Sequence, residues 1–246
     1  MHTAKTVIVT GASSGLGFAI AKAYLERGDN VVGNARTLAR LQEAAAKLGN
    51  PANLLLVEGD IAQPQTARKL FDQAIEAFGK VDILVNNAGI FIAKPVTDYT
   101  EAEVEAIVDT NLKGFFYPAQ AAARHMAKNG AGHIVNITAS IALQPNIKVP
   151  ALLPVLIKGG INQAVRALAL ELAPSQVQVN AVAPGIIDTP LHGDDSQARE
   201  ALKALAPTGQ IGSPEDVVDA VLYLTDSTFV TGTVIAVDGG SATGTW

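Results

Sequence analysis

Short apolar runs and amphipathic stretches alternate along this chain almost without a break. Thr6-Val7-Ile8-Val9 is apolar and largely β-branched, which predicts a strand buried on both faces. Residues 18–27 follow with a helical pattern, and Gly28 stands where a C-terminal cap belongs. The alternation then repeats. Residues 30–34, 54–57, 81–85, 133–137, 177–182 and 233–237 read as further strands. Residues 38–48, 65–78, 100–128 and 155–172 read as helices, with shorter ones near 195–205 and 214–224. Pro64 opens the third of these and Gly79 closes it, while Gly114 and Pro118 mark an irregularity inside the long helix 100–128. Strand–helix alternation of this kind predicts an α/β fold: a doubly wound, mainly parallel seven-stranded sheet with helices on both faces. No repeat beyond the strand–helix unit and no linker interrupts it, so residues 1–246 read as one domain.

Between the first strand and the first helix lies Thr10-Gly11-Ala12-Ser13-Ser14-Gly15-Leu16-Gly17. Strand, glycine turn and helix leave backbone N–H groups and a positive helix end pointing at an anion. Glycine is needed there because a β-carbon resists positive φ and blocks the approach of a pyrophosphate. An ordinary tight turn has the same residues in isolation; the position at the first strand of an alternating sheet makes it a dinucleotide phosphate loop.

Composition narrows the function classes. Hydrophobic residues make up 48% of the chain and mean hydropathy is +0.25, enough for a large buried core. No apolar run approaches the roughly 18 residues that cross a bilayer, and Met1–Lys5 lacks the layout of a secretory signal, so no membrane partner is expected. There is no cysteine, hence no disulfide, no thiolate chemistry and no sulfur-ligated metal, which fits a cytoplasmic protein. No metal site is expected from the remaining residues either. Net charge is −5 with Lys and Arg scattered, which argues against a nucleic-acid partner.

Taken together, Thr10-Gly11-x-x-x-Gly15-x-Gly17, Asn86-Asn87-Ala88-Gly89, Asn111 in Asn-Leu-Lys-Gly, Ser140, Pro184-Gly185 and the closing Thr231-Gly232…Val237-Asp238-Gly239-Gly240 match one family in order and spacing. The chain resembles a short-chain dehydrogenase/reductase over nearly its whole length. That resemblance implies a Rossmann-like domain whose substrate lid lies around residues 185–212. It also implies a nicotinamide cofactor held by Gly11, Ser13, Ser14, Gly15, Leu16 and Gly17, with Asp60 and Ile61 framing the adenine. Asn87, Ala88 and Gly89 are expected along the adenosine ribose, and Pro184, Gly185, Ile187 and Thr189 at the nicotinamide half. Asn111 is expected in a helix kink, holding a water linked to a lysine. Helices 100–128 and 155–172 are expected to pair across a two-fold axis, giving a homodimer or a homotetramer of 222 symmetry.

Arg36 bears on the cofactor's identity. In dinucleotide folds an acidic residue about 20 residues after the glycine loop binds the ribose 2′-hydroxyl of NAD. Here Ala35-Arg36-Thr37 offers no carboxylate. A guanidinium pairs with a 2′-phosphate through two hydrogen bonds, where an Asp would repel it, so NADP is expected over NAD.

Ser140 and Lys158 match two members of the family's catalytic group, with Asn111 a third. A tyrosine four residues before the lysine moves the proton in the family, and helical i, i+4 spacing puts the two on one face. Position 154 is Pro154. The longer tyrosine-to-lysine spacing of enoyl reductases points to position 151, which is Ala151, and no tyrosine occurs between Tyr117 and Tyr223. Pro150 and Pro154 predict a helix starting late, near residue 155, with Lys158 about one turn from its start. His192, in the lid, and more weakly Lys148 are the substitute proton donors the sequence offers. Loss of a general acid costs 10² to 10⁴ in rate, so two functions remain: an oxidoreductase acting on a small carbonyl or alcohol by an atypical proton route, or a silent dinucleotide-binding sensor or scaffold.

Overall fold

The computed structural model describes residues 3–190 and 196–244. Its seven strands are β1 (Thr6–Thr10), β2 (Asn30–Ala35), β3 (Leu54–Glu58), β4 (Ile83–Asn86), β5 (Gly132–Ile137), β6 (Val177–Pro184) and β7 (Val234–Val237). All pair in parallel, in the order β3-β2-β1-β4-β5-β6-β7. The helices are α1 (Gly15–Glu26), α2 (Leu38–Lys47), α3 (Pro64–Phe78), α4 (Glu101–Ile107), α5 (Gly114–Asn129), α6 (Leu152–Leu172), α7 (Ser196–Lys203) and α8 (Pro214–Asp226). This is the Rossmann-like, doubly wound sheet that the alternation of elements predicts.

Successive strand residues face opposite sides, so one apolar strand serves two cores. Ile8, Leu84 and Ile134 pack with α3, α5 and α6, whereas Val7, Val9, Ile83, Val85 and Val135 pack with α1 and α8. A buried bond between the Tyr24 hydroxyl and Thr225 Oγ1 (2.8 Å) ties α1 to α8, and burial raises the pKa of that phenol. Among the described residues no helix is long and apolar enough to cross a membrane.

Because the strands are parallel, their C-terminal ends share one edge. The chain winds outward from β1 through β2 to β3 on one side and from β4 to β7 on the other, so the crevice opens between β1 and β4.

Two differences from the sequence expectation bear on the site. The irregularity in helix 100–128 falls before Gly114, as a π-helical segment at Val108–Lys113 between α4 and α5. Pro118 is buried inside α5, which continues unbroken through it to Asn129. α6 starts at Leu152 rather than 155, leaving Lys158 nearer two turns in. Pro154 is its third residue, where the missing N–H has no intrahelical acceptor to lose and the fixed φ suits the first turn.

Candidate active site

The glycine turn is built by close approach. Gly11 has φ +69° and Gly15 has φ +56°, the left-handed region that favours glycine. A β-carbon on Gly17 would stand 2.2 Å from the Gly11 carbonyl oxygen, so only glycine lets α1 seat against the end of β1. Ser14 is extended at the N-cap and gives the helix no side-chain cap, which leaves first-turn N–H groups facing the crevice beside Ser13 and Leu16.

The second side of the turn is the loop after β4. Asn87 and Ala88 N–H groups both donate to Thr10 Oγ1 at 3.0 Å, and Asn87 Nδ2 donates to the Thr10 carbonyl at 2.9 Å. Thr10 is thus the clamp of the site, and sequence reasoning passed over it; a threonine ending an apolar strand before a glycine turn was the available signal. A further set of buried amides crosses neighbouring strands. Asn86 Nδ2 donates to Asn136 Oδ1 (3.0 Å), and Asn136 Nδ2 donates to the Asn180 carbonyl (3.1 Å). Asparagines inside otherwise apolar strands were the clue to that network.

Asn111 lies in the π-helical segment and is only 2% exposed. Its amide grips one peptide from both sides: Oδ1 accepts from Ile90 N–H and Nδ2 donates to the Ile90 carbonyl, each at 2.8 Å. Both ends of the side chain are therefore committed to holding the loop that carries Gly89. Gly89 is exposed, and a β-carbon there would lie 3.2 Å from Asn111 Oδ1 and 3.4 Å from Lys158 Nζ.

Lys158 Nζ donates to the Ile137 carbonyl at the end of β5, at 2.7 Å. The side chain is half-buried, and desolvation pushes its pKa down to about 8 with no charged neighbour contributing. Ser140 opens a single 3₁₀ turn, Ser140–Ala142, directly after β5. It is 6% exposed, and its hydroxyl has no hydrogen-bond partner among the described residues. Pro154 is buried one helical turn before Lys158, on the same face of α6.

Residues after β6 reach back across the crevice. A β-carbon on Gly185 would stand 2.7 Å from the Asp238 Cα, and Gly185 N–H donates to the Val237 carbonyl (2.9 Å). Pro184 ends β6, Ile187 is buried and bridges to Gly212, and Thr189 lies against Gly15. On the far side, Arg36 is exposed just past β2 and has no ion-pair partner among the described residues. Asp60 is exposed, its Oδ1 accepting from Ala62 N–H (3.0 Å), and Ile61 is buried against Gly114. Lys148 is exposed in the loop before α6, and His192 lies outside the described residues.

A crevice at the switch point of a doubly wound sheet, a glycine turn and a helix N-terminus are the features of a dinucleotide-binding fold. The comparisons with known proteins agree. Residues 11–242 match the family model described as "Enoyl-(Acyl carrier protein) reductase". The chain is 36% identical to 3beta-hydroxysteroid dehydrogenase 1 of Eggerthella lenta, over 96% of this chain and 93% of the relative. A short-chain type dehydrogenase/reductase from Mycobacterium marinum superposes with a TM-score of 0.90 at 35% identity, covering 96% of this chain and 95% of that one. ElxO with NADP bound superposes with a TM-score of 0.91 at 26% identity, covering 98% of this chain and all of that one. The chain belongs to the short-chain dehydrogenase/reductase family and is a short-chain oxidoreductase, with a fold that binds NAD(P).

Proposed function

We propose that this chain is an NADP(H)-dependent oxidoreductase that interconverts a small carbonyl and its alcohol in a site without the family tyrosine. The observation that carries the reading is that the Gly11–Gly17 turn after β1, Ser140 just past β5 and Lys158 bonded to the Ile137 carbonyl all lie at the C-terminal edge of one parallel sheet, while position 154 is proline. The cofactor fits residues that are there: glycine at 11 and 17 lets the turn close tightly, since a β-carbon on Gly17 would strike the Gly11 carbonyl oxygen, and the α1 N-terminus is open to a pyrophosphate. On this reading the cradle comprises Gly11, Ser13, Ser14, Gly15, Leu16 and Gly17, continued by Asn87, Ala88, Gly89, Pro184, Gly185, Ile187 and Thr189. Asp60 and Ile61 take the adenine side, and Lys158 also holds the nicotinamide ribose. Arg36, exposed and unpaired among the described residues, supports the 2′-phosphate of NADP over the bare ribose of NAD.

When bound, the nicotinamide supplies or accepts the hydride. Ser140 hydrogen-bonds the substrate oxygen with a hydroxyl that has no other partner among the described residues. Asn111 holds the Gly89–Ile90 loop in place by its two-sided grip, a positioning role. Seven strands in one sheet support reading residues 1–246 as one dinucleotide-binding unit, with a lid around 185–212. The cysteine-free composition supports a cytoplasmic setting.

The two-fold pairing of helices is supported by an apolar groove of about 360 Å³ between the π-helical segment and α6. Leu156, 66% exposed, and Phe116 and Leu152 stand open beside it. Covering such a face with a second copy gives a homodimer, and a further dyad a homotetramer.

Pro154 favours a second reading, a silent NADP-binding sensor. The test measures NADPH consumption with a panel of ketones and quinones, and titrates NADPH and NADH calorimetrically into wild type and Arg36→Ala. Wild type should bind NADPH more tightly, and Arg36→Ala should bring the two affinities together. An unchanged ratio would remove Arg36 from the 2′-phosphate; binding without turnover on any substrate would favour the sensor.

A further inference from the structure

We infer that Lys158 is itself the proton donor in carbonyl reduction, handing a proton from Nζ to the substrate oxygen in place of the missing phenol. The inference rests on the oxidoreductase reading above. Its starting point is a geometric substitution. On the face of α6 that carries Lys158, the residue one turn earlier is Pro154, which has no proton to give.

Among the described residues, the other protic groups at this edge are already hydrogen-bonded or too weakly acidic. The Asn111 amide is spent on both sides of the Ile90 peptide, and the Tyr99 hydroxyl donates to the Ile92 carbonyl at 2.6 Å. Ser140 can hydrogen-bond the substrate oxygen, but an alcohol is a poor acid. Lys158 has three N–H bonds, and one goes to Ile137 O at 2.7 Å. The other two have no partner among the described residues. Nζ also lies beside exposed Gly89, where any β-carbon would come within 3.4 Å of it. That glycine keeps the path from the ammonium to the crevice open.

The groups facing Nζ are the Ile137 carbonyl from β5, the Asn111 amide from the π-helical segment and Gly89 from the β4 loop. None is charged, and neither is Ser140 in the 3₁₀ turn packed on α6. Desolvation alone brings the ammonium to about 8, near the pH at which a general acid works best. In the step, hydride adds to the carbonyl carbon and the C=O π pair moves to oxygen. An O–H bond forms as an N–H bond of Lys158 breaks, directly or across one water. The products are the alcohol, oxidised nicotinamide and a neutral lysine amine, which solvent reprotonates.

Lys158→Arg keeps the charge and the donor to Ile137 O but cannot release a proton at working pH. Wild-type kcat for reduction should fall above about pH 8. Lys158→Arg should lose that limb and about 100-fold or more in kcat, and the loss should persist at saturating NADPH, where weaker ribose binding no longer limits the rate. Independently of turnover, reductive methylation with ¹³C-formaldehyde should give a dimethylamine signal that titrates near 8 and is missing in Lys158→Arg. Retained kcat in Lys158→Arg overturns this inference and leaves the oxidoreductase reading intact, as does a Lys158 signal titrating at an ordinary lysine value. Tight NADPH binding with no wild-type turnover on any carbonyl overturns the oxidoreductase reading, and this inference with it.

Discussion

His133 makes this fold acid-sensitive in a way that can be calculated. It sits near the start of β5, at the opposite end of the strand from Ser140, with ring Nδ1 sealed from solvent and without a hydrogen-bond partner. Burial first, and then the nearby Lys5 cation, push its pKa from 6.5 down to about 4. The folded state therefore binds fewer protons than the unfolded state between those two values. Stability contributed by the neutral ring is complete above pH 6.5 and is lost as pH falls towards 4. The full shift corresponds to about 3 kcal/mol, of which about 2 kcal/mol is gone at pH 5. These are upper values, because the ring is only partly covered and water screens it. Urea unfolding of wild type and His133→Gln at pH 7 and pH 5 measures the difference directly. Wild type should lose up to about 2 kcal/mol more than the variant between the two pH values. Equal losses would refute the argument, since Asp226, whose pKa is lowered mainly by its hydrogen bond to Arg27, stays ionised across this range in both proteins.

Gly17→Ala places a β-carbon 2.2 Å from the Gly11 carbonyl and 2.4 Å from Asn87 Nδ2, so α1 must move off the turn. A loss of about 3 kcal/mol on denaturation and of measurable NADPH binding is expected, and a variant within about 1 kcal/mol of wild type that still binds NADPH would show that the turn yields. Leu156→Glu puts a charge on the exposed edge of the apolar groove and should shift a dimer or tetramer towards monomer in sedimentation; wild type sedimenting as a monomer would remove the two-fold pairing.

Local pattern was enough to determine the layers of this protein. Apolar runs give strands at residues 6–9 and 177–182, and glycines at 11, 15 and 17 mark a tight turn, because periodicity and local backbone preference are properties of a few neighbouring residues. Pro154 could be read as a departure for the same reason. The start of α6 could not, since a proline limits where a helix begins without fixing it, and packing carried the helix back to Leu152. Sheet order was likewise decided in three dimensions. Only the placement of β1 beside β4 brings Thr10 to Asn87 and Ala88, and Asn111 meets Ile90 from the π-helical segment Val108–Lys113. Lys158 shows the division within one residue. Its identity and spacing are written in the chain, but its acidity comes from the carbonyl, amide and glycine that tertiary packing closes around it, because desolvation depends on what surrounds a charge and not on what precedes it in sequence.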